Sequence, residues 1–116
     1  MTPGDPRPVF DRAALDRQTG GDRDLQADVI RMFLDDCPTH VEAIRAAVAA
    51  ADAARLRSSA HALKGSAAYL SAAFVVEAAA AIEAIGRDGR LEAAAAWMAR
   101  LDAAVAELLP ELRASL

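Results

Sequence analysis

A single cysteine, Cys37, occurs in the 116 residues. No intrachain disulfide framework is available, and the chain suits a reducing compartment. Aromatic residues make up only 4%, too few for the core of an all-β domain or for platforms on which bases stack. A basic surplus is also lacking. The formal net charge is −4, whereas a nucleic-acid binder carries a basic face, so no nucleic acid is expected among the partners. No charge-free apolar run reaches the roughly 18 residues that a membrane-spanning helix needs. The opening stretch Met1-Thr2-Pro3-Gly4-Asp5-Pro6 has no apolar segment of the signal-peptide kind. No membrane contact and a cytoplasmic location are therefore expected.

Chemical machinery is missing in the same way. Neither G-x-G-x-x-G nor G-x-x-x-x-G-K-[ST] occurs, so there is no phosphate-cradling loop of the kind an ATP-using kinase would carry. No H-E-x-x-H and no paired C-x-x-C is present. Cys37 and His40 stand three apart and could share one helical face, but two ligands are too few for a closed zinc site. No metal and no cofactor are expected. No serine or cysteine has an evident base and orienting group beside it, which leaves a hydrolase triad without support.

Alanine and apolar periodicity fill the space. The chain fits one domain with one core. Much of its 54% hydrophobic content is alanine, which points to small-residue packing between helices. Residues 1–9, with three prolines and a glycine, read as a flexible lead-in, and 10–116 as the domain. Asp11 can cap a short helix that Gly20-Gly21 ends, and Asp22 can cap a second, longer one. That helix carries Ile30, Phe33, Cys37, Val41, Ile44 and Val48 on one face. The pattern survives Pro38, so one helix kinked there is expected. Leu25, Val29 and Met32 form a second strip about 120° away, expected to pack on the short first helix, with a partly exposed docking patch as the alternative.

Asp52 is the expected N-cap of a third helix, from about Ala53 to Leu70, and Ser71 of a fourth with Val75, Ala78, Ile82 and Ile85 inward. Gly86-Arg87-Asp88-Gly89 reads as a stop and turn. A last helix places Leu91, Ala94, Met98, Leu101, Val105, Leu108 and Leu112 at spacings of three and four, with Pro110 fraying or bending its end. Nothing alternates with period two. The fold class is all-α: an antiparallel up-down-up-down four-helix bundle with a short extra N-terminal helix.

In the third helix Leu56, Ala60, Leu63, Ala67 and Leu70 fall within about 80° of one another and make an apolar seam. His61 lies about 140° from Leu56 on the same count, with Arg57, Lys64, Gly65 and Ala68 around it. An outward imidazole is a good nucleophile at neutral pH. A mid-helix glycine costs about 1 kcal/mol relative to alanine, so Gly65 beside the ring suggests a need for clearance. Lys64 and Arg57 can offset the charge of a phosphoryl group on the ring, and Ala68 continues a flat surface. Gly65, Ala68, Val29 and Met32 are the expected partner-docking residues.

The stretch His61-Ala62-Leu63-Lys64-Gly65-Ser66, with Ala60 before it and Leu70 after, resembles the H-x-L-K-G-[SA] signature of histidine-containing phosphotransfer (HPt) domains. The likeness runs from about Asp11 to Leu112 and includes Asp52 and the Ile82-Glu83 pair with its Gly-rich turn. Ser71 stands where the family often has glycine, and Tyr69 where a small polar residue is common. The resemblance implies a four-helix bundle whose His61 accepts a phosphoryl group, usually on Nε2, from an aspartyl-phosphate receiver domain and passes it to another receiver. Lys64 would be the phosphate-proximal lysine. The implied partners are response-regulator receiver domains and a hybrid sensor kinase, and the implied protein is a monomeric phosphocarrier with no kinase activity of its own. Two alternatives differ in class: a non-catalytic helical adaptor that binds a receiver or kinase, and the histidine-bearing module of a chemotaxis-type kinase.

Overall fold

The computed structural model describes residues 5–116. Among these every regular element is helical: α1 (Arg12–Thr19), α2 (Arg23–Ala49), α3 (Ala53–Tyr69), α4 (Ala73–Asp88) and α5 (Ala94–Ala114), with a 3-10 turn over Leu91–Ala93. Helices α2, α3, α4 and α5 share one core: α3 packs on α2 and α4, and α5 packs on the same two neighbours. No described helix is long and apolar enough to cross a membrane.

The three aspartates act as caps. Asp11, Asp22 and Asp52 each accept a backbone N–H from the residue three positions on, at 3.0–3.1 Å. Each satisfies a donor that the first helical turn leaves free. The α3 seam is fully buried at Leu56, Ala60, Leu63, Ala67 and Leu70. Ile30, Phe33, Cys37 and Ile44 of α2 face it, as do Val75, Ala78 and Ile82 of α4 and Leu101, Leu108 and Leu112 of α5. Val41, Val48, Leu91 and Val105 lie at the margin, partly buried. Helix α2 continues unbroken through Pro38.

Three local expectations need correction. The strip Leu25, Val29 and Met32 does not pack on α1. Leu25 and Met32 are 42% and 62% exposed. The contact with α1 is made instead by buried Gln26, whose Nε2 donates to Asp16 Oδ1 at 2.6 Å and Thr19 Oγ1 at 3.0 Å. Ser71 does not cap α4. It adopts φ +54°, and the bonds Ser71 N–H to Ala68 O and Ala72 N–H to Ala67 O close α3 in a Schellman turn. Gly86 does not begin a turn. Helix α4 runs on to Asp88 and stops at Gly89, which takes φ +72°. Helix α5 includes Pro110 and continues to Ala114.

Gly86 has a different task. A Cβ at this position would stand 2.6 Å from Arg57 N and 2.8 Å from Ala53 O. Backbone meets backbone here, so α3 and α4 approach closely only because this side chain is missing. The register follows: Ala53 and Arg57 lie against Gly86, while His61 and Lys64 reach Glu83.

Ahead of α1, Phe10 is buried. Arg7 lies over the Phe74 ring at 4.7 Å and bonds Glu77 Oε2 and Asp5 Oδ2, both at 2.8 Å. The segment before α1 thereby docks on α4.

Candidate functional site

The seam decides where His61 points. With Ala60 and Leu63 buried on either side of it in the sequence, the imidazole emerges on the opposite face of α3, and its side chain is 71% exposed. One ring nitrogen is nevertheless held. Nδ1 lies 2.5 Å from Glu83 Oε2, and Lys64 Nζ donates to the other oxygen, Oε1, at 2.7 Å. One carboxylate thus serves two α3 residues that stand three apart.

Glu83 is only 14% exposed, so its charge depends on its partners. The bond from Lys64 is the main cause that lowers its pKa from the ordinary 4.5. Partial burial opposes this, and the bond with His61 lowers it further. At neutral pH the group is an anion and can only accept hydrogen bonds. Nδ1 must therefore carry the proton in the neutral ring. The lone pair is then left on Nε2, the nitrogen Glu83 does not hold.

Around the ring lies an open depression of about 760 Å³, lined by Ala54, Arg57 and Ser58 of α3, His61, and Glu83, Gly86 and Arg87 of α4. Arg57 is exposed and shares the depression with the ring. Lys64 is 32% exposed and turned to Glu83. Gly65 is exposed, and nothing lies within 4 Å of the position a Cβ would take. Its lack of a side chain therefore relieves no contact inside the protein.

The other expected residues border the same face of α3. Val29 and Met32 line a smaller depression of about 270 Å³ with Phe33, Asp36, Ser66 and Tyr69, on the flank where α2 meets α3. Ala68 lies towards the N-terminal segment, in a depression shared with Arg7, Asp11 and Glu77. Cys37 is buried, and burial pushes its thiol up to about 11. It shares no site with His40. No group of three or more His, Cys, Asp or Glu that could hold a metal occurs among the described residues.

Sequence reasoning missed Glu83 and Arg87 as members of the site. A signal for Glu83 existed. It is one of only two acids between Ala73 and Ile85, in a helix otherwise almost wholly apolar there.

Comparison with known proteins bears on most of the chain. The model of a family described as the Hpt domain matches residues 28–113, well over half of the sequence. Among solved structures, the chain is similar to histidine-containing phosphotransfer protein B (HptB) from Pseudomonas aeruginosa PAO1. The TM-score is 0.85 at 24% sequence identity, over 91% of this chain and 92% of that one. At this identity the likeness is evidence of the fold. No curated protein matches the sequence at a significant level.

Proposed function

We propose the function of this protein from one premise: the chain belongs to the Hpt domain family, whose model covers residues 28–113. It is a histidine phosphotransfer protein of a two-component phosphorelay, and it exchanges phosphoryl groups with response-regulator receiver domains. It acts as a phosphocarrier, and the ATP-dependent step belongs to another protein. A hybrid sensor kinase supplies the phosphoryl group at the head of the relay. The working form is a cytoplasmic monomer, with residues 10–116 as the domain and α2 to α5 as its up-down-up-down antiparallel bundle.

His61 is the acceptor and donor. The observation that carries this reading is the pairing of an exposed ring with an ionised, half-buried carboxylate on Nδ1. The Nε2 lone pair attacks the phosphorus of an aspartyl phosphate. The Nε2–P bond forms, the P–O bond to the aspartate breaks, and the electron pair leaves with the carboxylate. The proton on Nδ1 stays in its bond to Glu83, which stabilises the imidazolium formed. Reversal of the same step, with a second receiver's aspartate as nucleophile, passes the group on. Lys64, bonded to Glu83, and Arg57, free of such a bond, make the site cationic. The flat stretch of Gly65 and Ala68 admits the receiver, and Val29 and Met32 give it an apolar foothold on α2.

Incubation with a phosphorylated receiver domain tests the assignment. Label that is acid-labile and base-stable should appear on the wild-type protein and be absent from His61→Gln. Equal uptake by the variant would sink the assignment to His61. A receiver that binds both forms equally and transfers to neither would identify an adaptor.

A further inference from the structure

Two guanidinium groups, of Arg57 and Arg87, stand beside His61. The Arg57 side chain makes no hydrogen bond or ion pair among the described residues. Arg87 makes one loose contact, Nε to Asp88 Oδ1 at 3.4 Å. Both line the depression that holds the ring. The lysine nearest along α3 is engaged elsewhere, since Lys64 Nζ is fixed on Glu83 Oε1.

The placement of the two arginines follows from the helix contact. The backbone of Arg57 rests on Gly86, with its Cα 2.9 Å from where a Cβ would be. Arg87 is the next residue of α4. Two long cationic side chains therefore leave adjoining points of two helices. Arg57 is one turn before His61, and Arg87 is one turn after Glu83. Like charges that line one depression repel, and an anion between them would offset that. Glu83 bonds His61 and Lys64 and makes no hydrogen bond or ion pair with either arginine.

We infer that Arg57 and Arg87 form a two-arm anion subsite for a phosphoryl group on His61 Nε2, and that Lys64 acts indirectly by fixing Glu83. The inference rests on the reading of His61 as acceptor and adds a division of labour among the cations. The ligand is a tetrahedral phosphoryl dianion. Guanidinium groups suit it because each can give two parallel N–H donors to its oxygens. Gly86 is the positioning residue, since it brings the two arms together.

The test uses inorganic phosphoramidate, which phosphorylates imidazole without a receiver: ammonia leaves phosphorus as the Nε2–P bond forms. In a His40→Gln background only His61 can take the group. The second ionisation of the phosphoryl group is then followed by 31P NMR, in the parent and in Arg57→Gln/Arg87→Gln. Both arginines are exposed, so the double variant should fold as the parent does. Nearby cations favour the dianion, and their loss should raise that ionisation by on the order of half a unit. The side-chain N–H signals of both arginines should also move on phosphorylation of the parent. Identical titration of parent and double variant would overturn the subsite, as would a folded parent that takes no phosphoryl group from the reagent. The relay reading is judged separately. A shifted titration in a protein that no phosphorylated receiver labels would keep the subsite and discard the relay.

Discussion

Gly65 and Gly86 are both glycines inside helices, and they lack a side chain for opposite reasons. Gly86 is buried, with the backbone of α3 within 2.6–2.9 Å of its missing Cβ. Gly65 is exposed, with nothing within 4 Å. The first absence is required by a neighbour within the protein, the second by nothing in the folded chain. A helical glycine that no internal contact demands, one turn from an exposed nucleophile, points to clearance for an outside partner. The internal one holds α3 and α4 close enough for Glu83 to reach His61.

Alanine substitution should therefore split the pair, and the larger effect belongs to Gly86. Backbone cannot move aside as a flexible side chain can. Gly86→Ala should lose about 1–3 kcal/mol of stability, as overpacked cores do, and the midpoint of thermal unfolding should fall by about 5–15 °C. It should also separate Glu83 from His61, which the chemical shifts of the two ring nitrogens would report. A variant as stable as wild type would mean that the helices can part there without penalty.

Gly65→Ala should act in the reverse sense. The folded protein should gain up to about 1 kcal/mol, the helix-propensity difference. Phosphoryl transfer from a receiver should slow nonetheless, and Gly65→Leu should slow it further, while labelling by phosphoramidate stays near the wild-type rate. Equal loss with both donors would locate the fault in the ring itself and end the clearance argument.

The contrast also marks what could be read from the chain. The seam of α3, the caps Asp11, Asp22 and Asp52, and the outward direction of His61 all follow from local rules: a period of 3.6 residues, and a short polar side chain ahead of an apolar pattern. Gly86 looked like a turn because Gly89 follows three residues on and both mark breaks in a local reading. Only the register of α4 against α3 distinguishes the glycine that packs from the glycine that stops. Glu83 and Arg87 were missed for the same reason, since their partners lie 19 to 30 residues away in the sequence. Gln26 was passed over because an amide is an unexpected residue at a helix contact. Its bonds to Asp16 and Thr19 satisfy it there.

A position with no glycine extends the comparison at a smaller scale. Ser71 adopts φ +54° to close α3, where a residue without Cβ would be unstrained. Ser71→Gly should stabilise by about 0.5 kcal/mol, the relief of left-handed strain less the added freedom of the unfolded chain. Denaturant midpoints at unchanged m-value would show it. Ala51, at φ +52°, ends α2 in the same turn, with Asp52 N–H bonded to Ala47 O. It should respond alike, and opposite signs at the two positions would break the argument from φ.

An effect no larger concerns the carboxylate between the two glycines. Its folded pKa lies below the ordinary 4.5 because Lys64, and then His61, stabilise the anion against partial burial. A lowered folded pKa means that the unfolded chain binds the proton first as pH falls. The contribution of Glu83 to stability is thus complete above about pH 4.5 and is lost as pH drops through the depressed folded value. The partners are partly or largely exposed, so solvent screening limits it to about 0.5 kcal/mol. The stability gap between wild type and Glu83→Gln should be of that size at pH 7 and close as pH falls through the depressed folded value. Ring nitrogen shifts should show the Nδ1–H tautomer of His61 less dominant in the variant at neutral pH. If the gap persisted unchanged into acid, packing rather than charge would hold Glu83 in place. The ring would then owe its orientation to the close helix approach at Gly86 alone.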